Sequence, residues 1–195
     1  MILIDPYRPQ ALGGRITHGP ITLTPDVVVV THFHEDHGWI GGIAGRPVIV
    51  DRDATAAGIE FRCVWVPHDP HGGCQMGMSR MFAFTVDGVA FWHPGDVGRL
   101  PTEAEQRVLG PVDCLLLPVG GRFTIEIPEA LTLMERLKPI WTIPMHYRSA
   151  RVDLDIHERQ TFLDAMPADR PQVSVAGSDW TPDVDPGVVL LEPAL

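Results

Sequence analysis

At 195 residues, with 45% hydrophobic and 21% charged side chains, the chain has the make-up of one globular domain and of neither a disordered nor a fibrous protein. Its formal net charge of -10, with one lysine, Lys138, and scattered arginines, argues against a nucleic-acid partner, because that affinity comes from basic side chains displacing counterions; bound divalent cations would offset part of the charge. No apolar run is long enough to span a membrane, no basic segment leads into an apolar one at the N-terminus, and three cysteines without C-x-x-C spacing (Cys63, Cys74, Cys114) read as reduced thiols, so a cytoplasmic protein is expected.

In chain order, short apolar runs bounded by turn residues predict strands at 2–4, 27–30, 48–50, 63–66, 82–86, 89–92 and 114–119. Several are continuous rather than alternating, as in strands buried on both faces. Asp87-Gly88 joins two of them as a two-residue hairpin turn. A short helix is expected over 53–58 and another over 103–109. In the segment following Pro128, Ala130, Leu133, Met134 and Leu137 keep helical spacing until Pro139. A last helix is expected from Asp155, read as an N-cap with Glu158 completing a capping box, and a final apolar run covers 187–193. No low-complexity linker or internal repeat divides the chain, so the whole of 1–195 is read as one domain.

The segment "THFHEDHGWIGG" at 31–42 carries the chemistry. His32 and His34 are two apart at the end of a strand and leave on the same face, so two imidazoles can share a metal. Asp36 and His37 follow where the strand breaks toward glycines, and a turn there would swing them toward an adjacent metal. Imidazole with carboxylate suits zinc, iron or manganese better than soft thiolate sites do.

"THFHEDH" resembles the H-x-H-x-D-H signature of metallo-β-lactamase-fold hydrolases. "WHPGDVG" (92–98) is similar to their H-x-G-D segment, "IPMHYR" (143–148) to the segment with their last histidine, and "LLLPVGGRFTI" (115–125) to a Pro-x-Gly-Gly-x-x-Thr segment of small, lactonase-like members. The matches fall in the family's order. The resemblance implies an α/β fold: a four-layer αβ/βα sandwich of two facing mixed sheets with helices outside and the site at the sheet edge. It implies two divalent metal ions, zinc first and manganese or iron next. His32, His34 and a third histidine would hold one; Asp36, His37 and His146 would hold the other, with Asp96 bridging. The third histidine is His68 or His71, and His68 is favoured as the nearer to its strand. The implied activity is hydrolysis of a small ester, lactone, amide or phosphodiester by a hydroxide shared between the ions, which Asp36 orients. Mononuclear iron chemistry on oxygen or thiols, and a non-catalytic metal-binding role, are the alternatives.

His93 reads as a packed histidine and His18 and His157 as surface ones. Gly120 and Gly121 are expected to let backbone approach the site, and Thr124 and Tyr147 to orient substrate. Trp39, Trp65, Arg99, Arg122 and Arg148 are the candidates for the pocket. The sequence departs from the family's pattern in starting almost at the "DP" strand, "MILIDPY", so a shortened N-terminal hairpin, a truncated start or the lack of those strands is expected. The strand edge this leaves open invites a homodimer.

Overall fold

The continuous apolar runs become strands of two sheets in this computed structural model, which describes residues 1–193. The smaller sheet holds β1 (Ile2–Ile4), β2 (Val27–Val29) and β3 (Val48–Val50) in that order. The larger is built from β4 (Ala54–Ala56), β5 (Ile59–Pro67), β6 (Met78–Val86), β7 (Val89–His93), β8 (Cys114–Pro118), β9 (Trp141–Met145), β10 (Gln172–Ser174) and β11 (Gly187–Leu190). Its order is β10-β11-β9-β8-β7-β6-β5-β4, antiparallel from β4 to β7 and parallel from β7 to β10. Only this sheet is mixed. In the smaller sheet both pairings are parallel, β1 with β2 and β2 with β3.

Apolar side chains sort onto the two faces of the large sheet. Phe61, Phe82 and Phe84 meet Val27, Val29 and Val50 between the sheets. A single turn, α1 (Ala11–Gly14), lies in the N-terminal loop, and on the outer face of the large sheet Met81, Trp92, Leu115 and Leu117 pack under α2 (Glu103–Leu109), α3 (Ile127–Leu137) and α4 (Arg159–Ala165), which contribute Leu109, Leu133, Met134 and Phe162. Burying each such side chain contributes about 1.5–3 kcal/mol. Toward β9 and β11 the inner face is covered by Trp180 and Val184 instead of the small sheet, and Trp141 donates its indole N–H to Val184 O at 3.2 Å. Among the described residues no helix is long and apolar enough to cross a membrane.

Two helix boundaries differ from expectation. Residues 53–58 form β4 and a turn into β5, with Ala57 at φ 51° and Gly58 at φ 77°. Asp53 does not cap a helix but accepts the Cys63 N–H at 2.6 Å, and Ala56 is buried against the inter-sheet core, so tertiary contacts override alanine's helical preference. Helix α4 starts at Arg159 with Glu158 as N-cap, and Asp155 pairs with Arg122. Residues 155–158 stay outside the helix because their backbone is committed elsewhere: His157 N–H donates to Gly120 O (2.8 Å) and His157 O accepts from Arg148 N–H (2.9 Å). The Asp87-Gly88 hairpin is present between β6 and β7, with Val86 paired to Val89.

Candidate metal centre

Six histidine and carboxylate side chains expected from the sequence converge where β2, β5, β7 and β9 end. The strand β2 delivers Thr31 and His32 from its C-terminal end, and the chain then turns tightly, with His37 and Gly38 N–H both donating to His34 O at 3.1 and 2.7 Å. That turn swings His37 back, so its ring centroid lies 4.6 Å from that of His32. His68 follows the last residue of β5, Asp96 lies in the loop after β7, and His146 follows the last residue of β9. His146 adopts φ 52°, an uncommon conformation for a non-glycine residue. Its carbonyl presses on Gly120, where an added Cβ would lie 2.2 Å from His146 O. Gly120 is thus required by close approach to the site's backbone.

The ligating atoms fall into overlapping triads. His32, His34 and His68 form one, and His37, Asp96 and His146 another, each with its candidate atoms within 4.8 Å of one another. One oxygen, Asp96 Oδ2, lies 3.2 Å from His68 Nε2, 3.2 Å from His146 Nε2 and 3.4 Å from His37 Nε2, so it touches both triads. Asp36 lies beside them, with its Oδ2 3.6 Å from His37 Nε2. His71 is exposed and belongs to neither triad, whereas His68 is 1% exposed and belongs to the first.

The remaining ring atoms fix which nitrogen faces inward. Thr31 Oγ1 is 3.0 Å from His32 Nδ1, and His68 Nδ1 is 3.0 Å from Phe123 O, which can only accept. The Nε2 atoms of both rings are buried without a hydrogen-bond partner, as is His146 Nδ1. Buried orphan nitrogens are costly unless something binds them. A cation satisfies the Nε2 pair, so the residues present fit a metal.

Asp5 was not singled out by its sequence, yet it completes a third triad with His32 and His37. Its Oδ2 is 3.4 Å from His37 Nδ1, and it accepts hydrogen bonds from Thr31 N and Oγ1, both at 2.7 Å. The only sequence signal is an aspartate directly after a strand and before proline, at φ 46°.

The electrostatics follow from burial and pairing. Burial pushes His32 down to about 3, against the pull of Asp96 and Asp5, and lowers His34 as well. For His37, burial opposes the charged ring, but Asp96, Asp5 and Asp36 outweigh it and lift it to about 10. Burial opposes the ionised form of Asp96, yet His146, His37 and His68 hold it well below the usual carboxylate range. The cluster thus holds neutral imidazoles at His32 and His34 and a charged pair, His37 with Asp96, beside them.

The other expected residues lie elsewhere. His93 is buried and its Nδ1 accepts the Gly95 N–H at 3.1 Å, outside all three triads. His157 is exposed, 3.9 Å from Glu126. His18 is half-buried, 5.6 Å from the Tyr7 ring, and lines a cavity beside the site rather than lying on the open surface. Thr124 is buried with its hydroxyl 3.4 Å from Ile125 O, while Tyr147 lines that same cavity. Arg99, Arg122 and Arg148 pair with Glu105, Asp155 and Glu158. Neither they nor Trp39 and Trp65 line the two cavities that border the triads, where the arginine is Arg15.

Residues 1–146 match the protein family described as Beta-lactamase superfamily domain. A protein of Pyrococcus abyssi named UPF0173 metal-dependent hydrolase is 30% identical over 178 residues, covering 76% of this chain and 77% of that one. A crystal structure of a metallo-beta-lactamase superfamily protein from Thermotoga maritima superposes with a TM-score of 0.75 and 28% identity, over 97% of this chain and 88% of its own. CmlA, a diiron beta-hydroxylase from Streptomyces venezuelae, shares the fold alone, with a TM-score of 0.52 and 11% identity over 78% of this chain and 41% of its own.

Proposed function

Since the chain belongs to the metallo-β-lactamase superfamily through its Beta-lactamase superfamily domain, we propose that it is a metal-dependent hydrolase with a dinuclear site. His32, His34 and His68 would hold one divalent ion, Asp36, His37 and His146 a second, and Asp96 would reach both. The observation that carries this reading is the position of Asp96 Oδ2, within 3.4 Å of nitrogens from both triads. Zinc suits this set of imidazoles and carboxylates, with manganese or iron next. A cytoplasmic site of action fits the three free cysteines.

A pair of divalent ions supplies, when bound, a water acidified toward neutral pH and positive charge for an oxyanion. The protein's own part is positional. Asp36 is partly buried at the border of both neighbouring cavities, where it can accept a hydrogen bond from the attacking water and orient it toward substrate. Thr31, Asp5 and Phe123 O hold the imidazoles of His32, His37 and His68 with Nε2 inward, so little rearrangement is needed on binding. The substrate is a small molecule, since the cavities beside the site are of ligand size, about 440 and 500 Å³. Where the chain self-associates, we place the contact at β1, an edge of the small sheet.

Metal content measured on protein purified without added metal, beside Asp96→Ala, tests the reading. Close to two zinc or manganese ions per chain, falling in the variant, is the expected result. One iron per chain would turn the reading to oxygen chemistry, and no metal in either protein would overturn it.

A further inference from the structure

Two cavities border the histidine cluster, and each takes a different part of it. The cavity of about 440 Å³ is bounded by Asp36, His37 and His146; the one of about 500 Å³ by His34, His68 and Asp96. Asp36, His146 and Leu154 line both. Leu154 is therefore the apolar side chain shared by the two spaces. It is 7% exposed, on a segment tied to the N-terminal loop by Asp153 N–H to Arg15 O (2.8 Å) and by the pairing of Ile16 with Val152.

Away from the triads the walls are mainly apolar, with His18, Ser149, Ser178 and Glu192 also bordering the first cavity. Ile16, Ile143, Met145, Val152 and Ile156 line the first cavity, where the Tyr7 hydroxyl is committed to Gly19 O at 2.7 Å. Leu12, Phe33, Met76 and Phe123 line the second. No lysine or arginine lines the first. In the second, Arg15 donates its Nε to Asp153 O at 2.8 Å, and the carboxylate of Glu35 lines the same space. The walls thus bring no net positive charge, and a charged group lying along them, away from the proposed ions, would lose water there without a partner.

We propose, resting on the hydrolase reading, that the substrate is an uncharged carboxylic ester with an apolar group on each side of the scissile bond. The acyl part occupies one cavity and the alkoxy part the other, and Leu154 sets how long a chain each admits. In the reaction the oxygen of water bonds to the acyl carbon and the acyl C–O bond breaks. The water proton passes to the departing alkoxide, which yields a carboxylic acid and an alcohol with no oxidant or second reactant.

The test uses zinc-loaded full-length protein with p-nitrophenyl acetate, butyrate and hexanoate, and with bis(p-nitrophenyl) phosphate. Each added methylene should raise kcat/KM about fourfold until the cavity is full, the value expected for burying a methylene group. The phosphate diester should be at least tenfold poorer than the hexanoate. Leu154→Ala should move the preferred chain length up and Leu154→Phe should move it down, opposite shifts that simple destabilisation does not give. As a readout apart from turnover, 2-octanone should bind more tightly than 2-butanone by calorimetry. Ester cleavage with a flat chain-length profile, a faster phosphate diester, or ketone binding indifferent to length overturns this inference and leaves the hydrolase reading standing. Failure of the zinc-loaded protein to cleave any of these esters overturns this inference, whereas the hydrolase reading falls only if the metal analysis finds no metal.

Discussion

Asp5 and His37 face each other across the back of the metal centre, with Asp5 Oδ2 3.4 Å from His37 Nδ1 while His37 Nε2 points at Asp96, 3.4 Å away. The imidazole is thereby held between two carboxylates, one at each nitrogen. Asp5 is itself fixed by two hydrogen bonds from Thr31, whose hydroxyl also reaches His32, so one buried aspartate aligns rings from both proposed ion sites.

Asp5→Ala should consequently weaken metal retention without removing a proposed ligand. Loss of a carboxylate behind a ligating histidine typically costs 10–100-fold in affinity. Chelator competition on the folded protein measures this directly, and Asp5→Glu should recover part of the loss. Unchanged retention in Asp5→Ala would show that Thr31 and packing alone hold the rings.

Gly120→Ala places a methyl group 2.2 Å from His146 O, and the neighbour is backbone that cannot swing aside. Overpacking of this kind costs about 1–3 kcal/mol. The strain falls on a residue already at φ 52°, so His146 should be displaced and the variant should lose one of the two proposed ions as well as melting earlier. Thermal denaturation together with metal content checks this. A variant that melts early yet keeps both ions would place the strain elsewhere.

Much of this arrangement is legible in the sequence, and the rest is hidden for identifiable reasons. The H-x-H-x-D-H run is visible because its ligands are neighbours in the chain, and most strands are visible because a buried strand needs continuous apolar residues. β9 carries Pro144, which argues against a central strand. The structure resolves this: β11 pairs only with Trp141 and Thr142, so Pro144 lies past that ladder and pairs on one side, with Leu117 of β8. Asp5 and Leu154 escape a sequence reading because their roles come from contacts far along the chain, to His37 and to the cavities, and neither has a local pattern. The β4 hairpin is missed because Ala54, Ala56 and Ala57 favour a helix locally, whereas burial of Ala56 and the turn at Gly58 decide the outcome.

The loop carrying His68 is pinned by Asp69, whose carboxylate accepts N–H groups from Met76, Gln75, His71 and Gly73 at 2.8–3.1 Å. The hydrogen bond from Met76 leads these in drawing Asp69 down to about 2 from the usual 3.8. A carboxylate lower in the folded than in the unfolded chain stabilises the fold fully above pH 4 and loses that contribution as pH falls through 2. Asp69→Asn should therefore melt below wild type at pH 6, with the gap closing between pH 4 and 2. Thermal melts across that range measure it, and a gap independent of pH would mean that the amide loses shape complementarity rather than charge.

His34 belongs to the triad with His32 and His68, and His146 to the triad with His37 and Asp96. Removing one from each should thus act on different ions. His34→Ala and His146→Ala should each retain about one metal per chain, and the double variant close to none. Asp96→Ala should lower occupancy of both sites, because its Oδ2 touches His68 of the first triad and His37 and His146 of the second. Metal analysis after exhaustive dialysis separates the two patterns. Simultaneous loss of both ions in His34→Ala and His146→Ala alike would mean that the triads bind as a single unit, with neither ion stable alone.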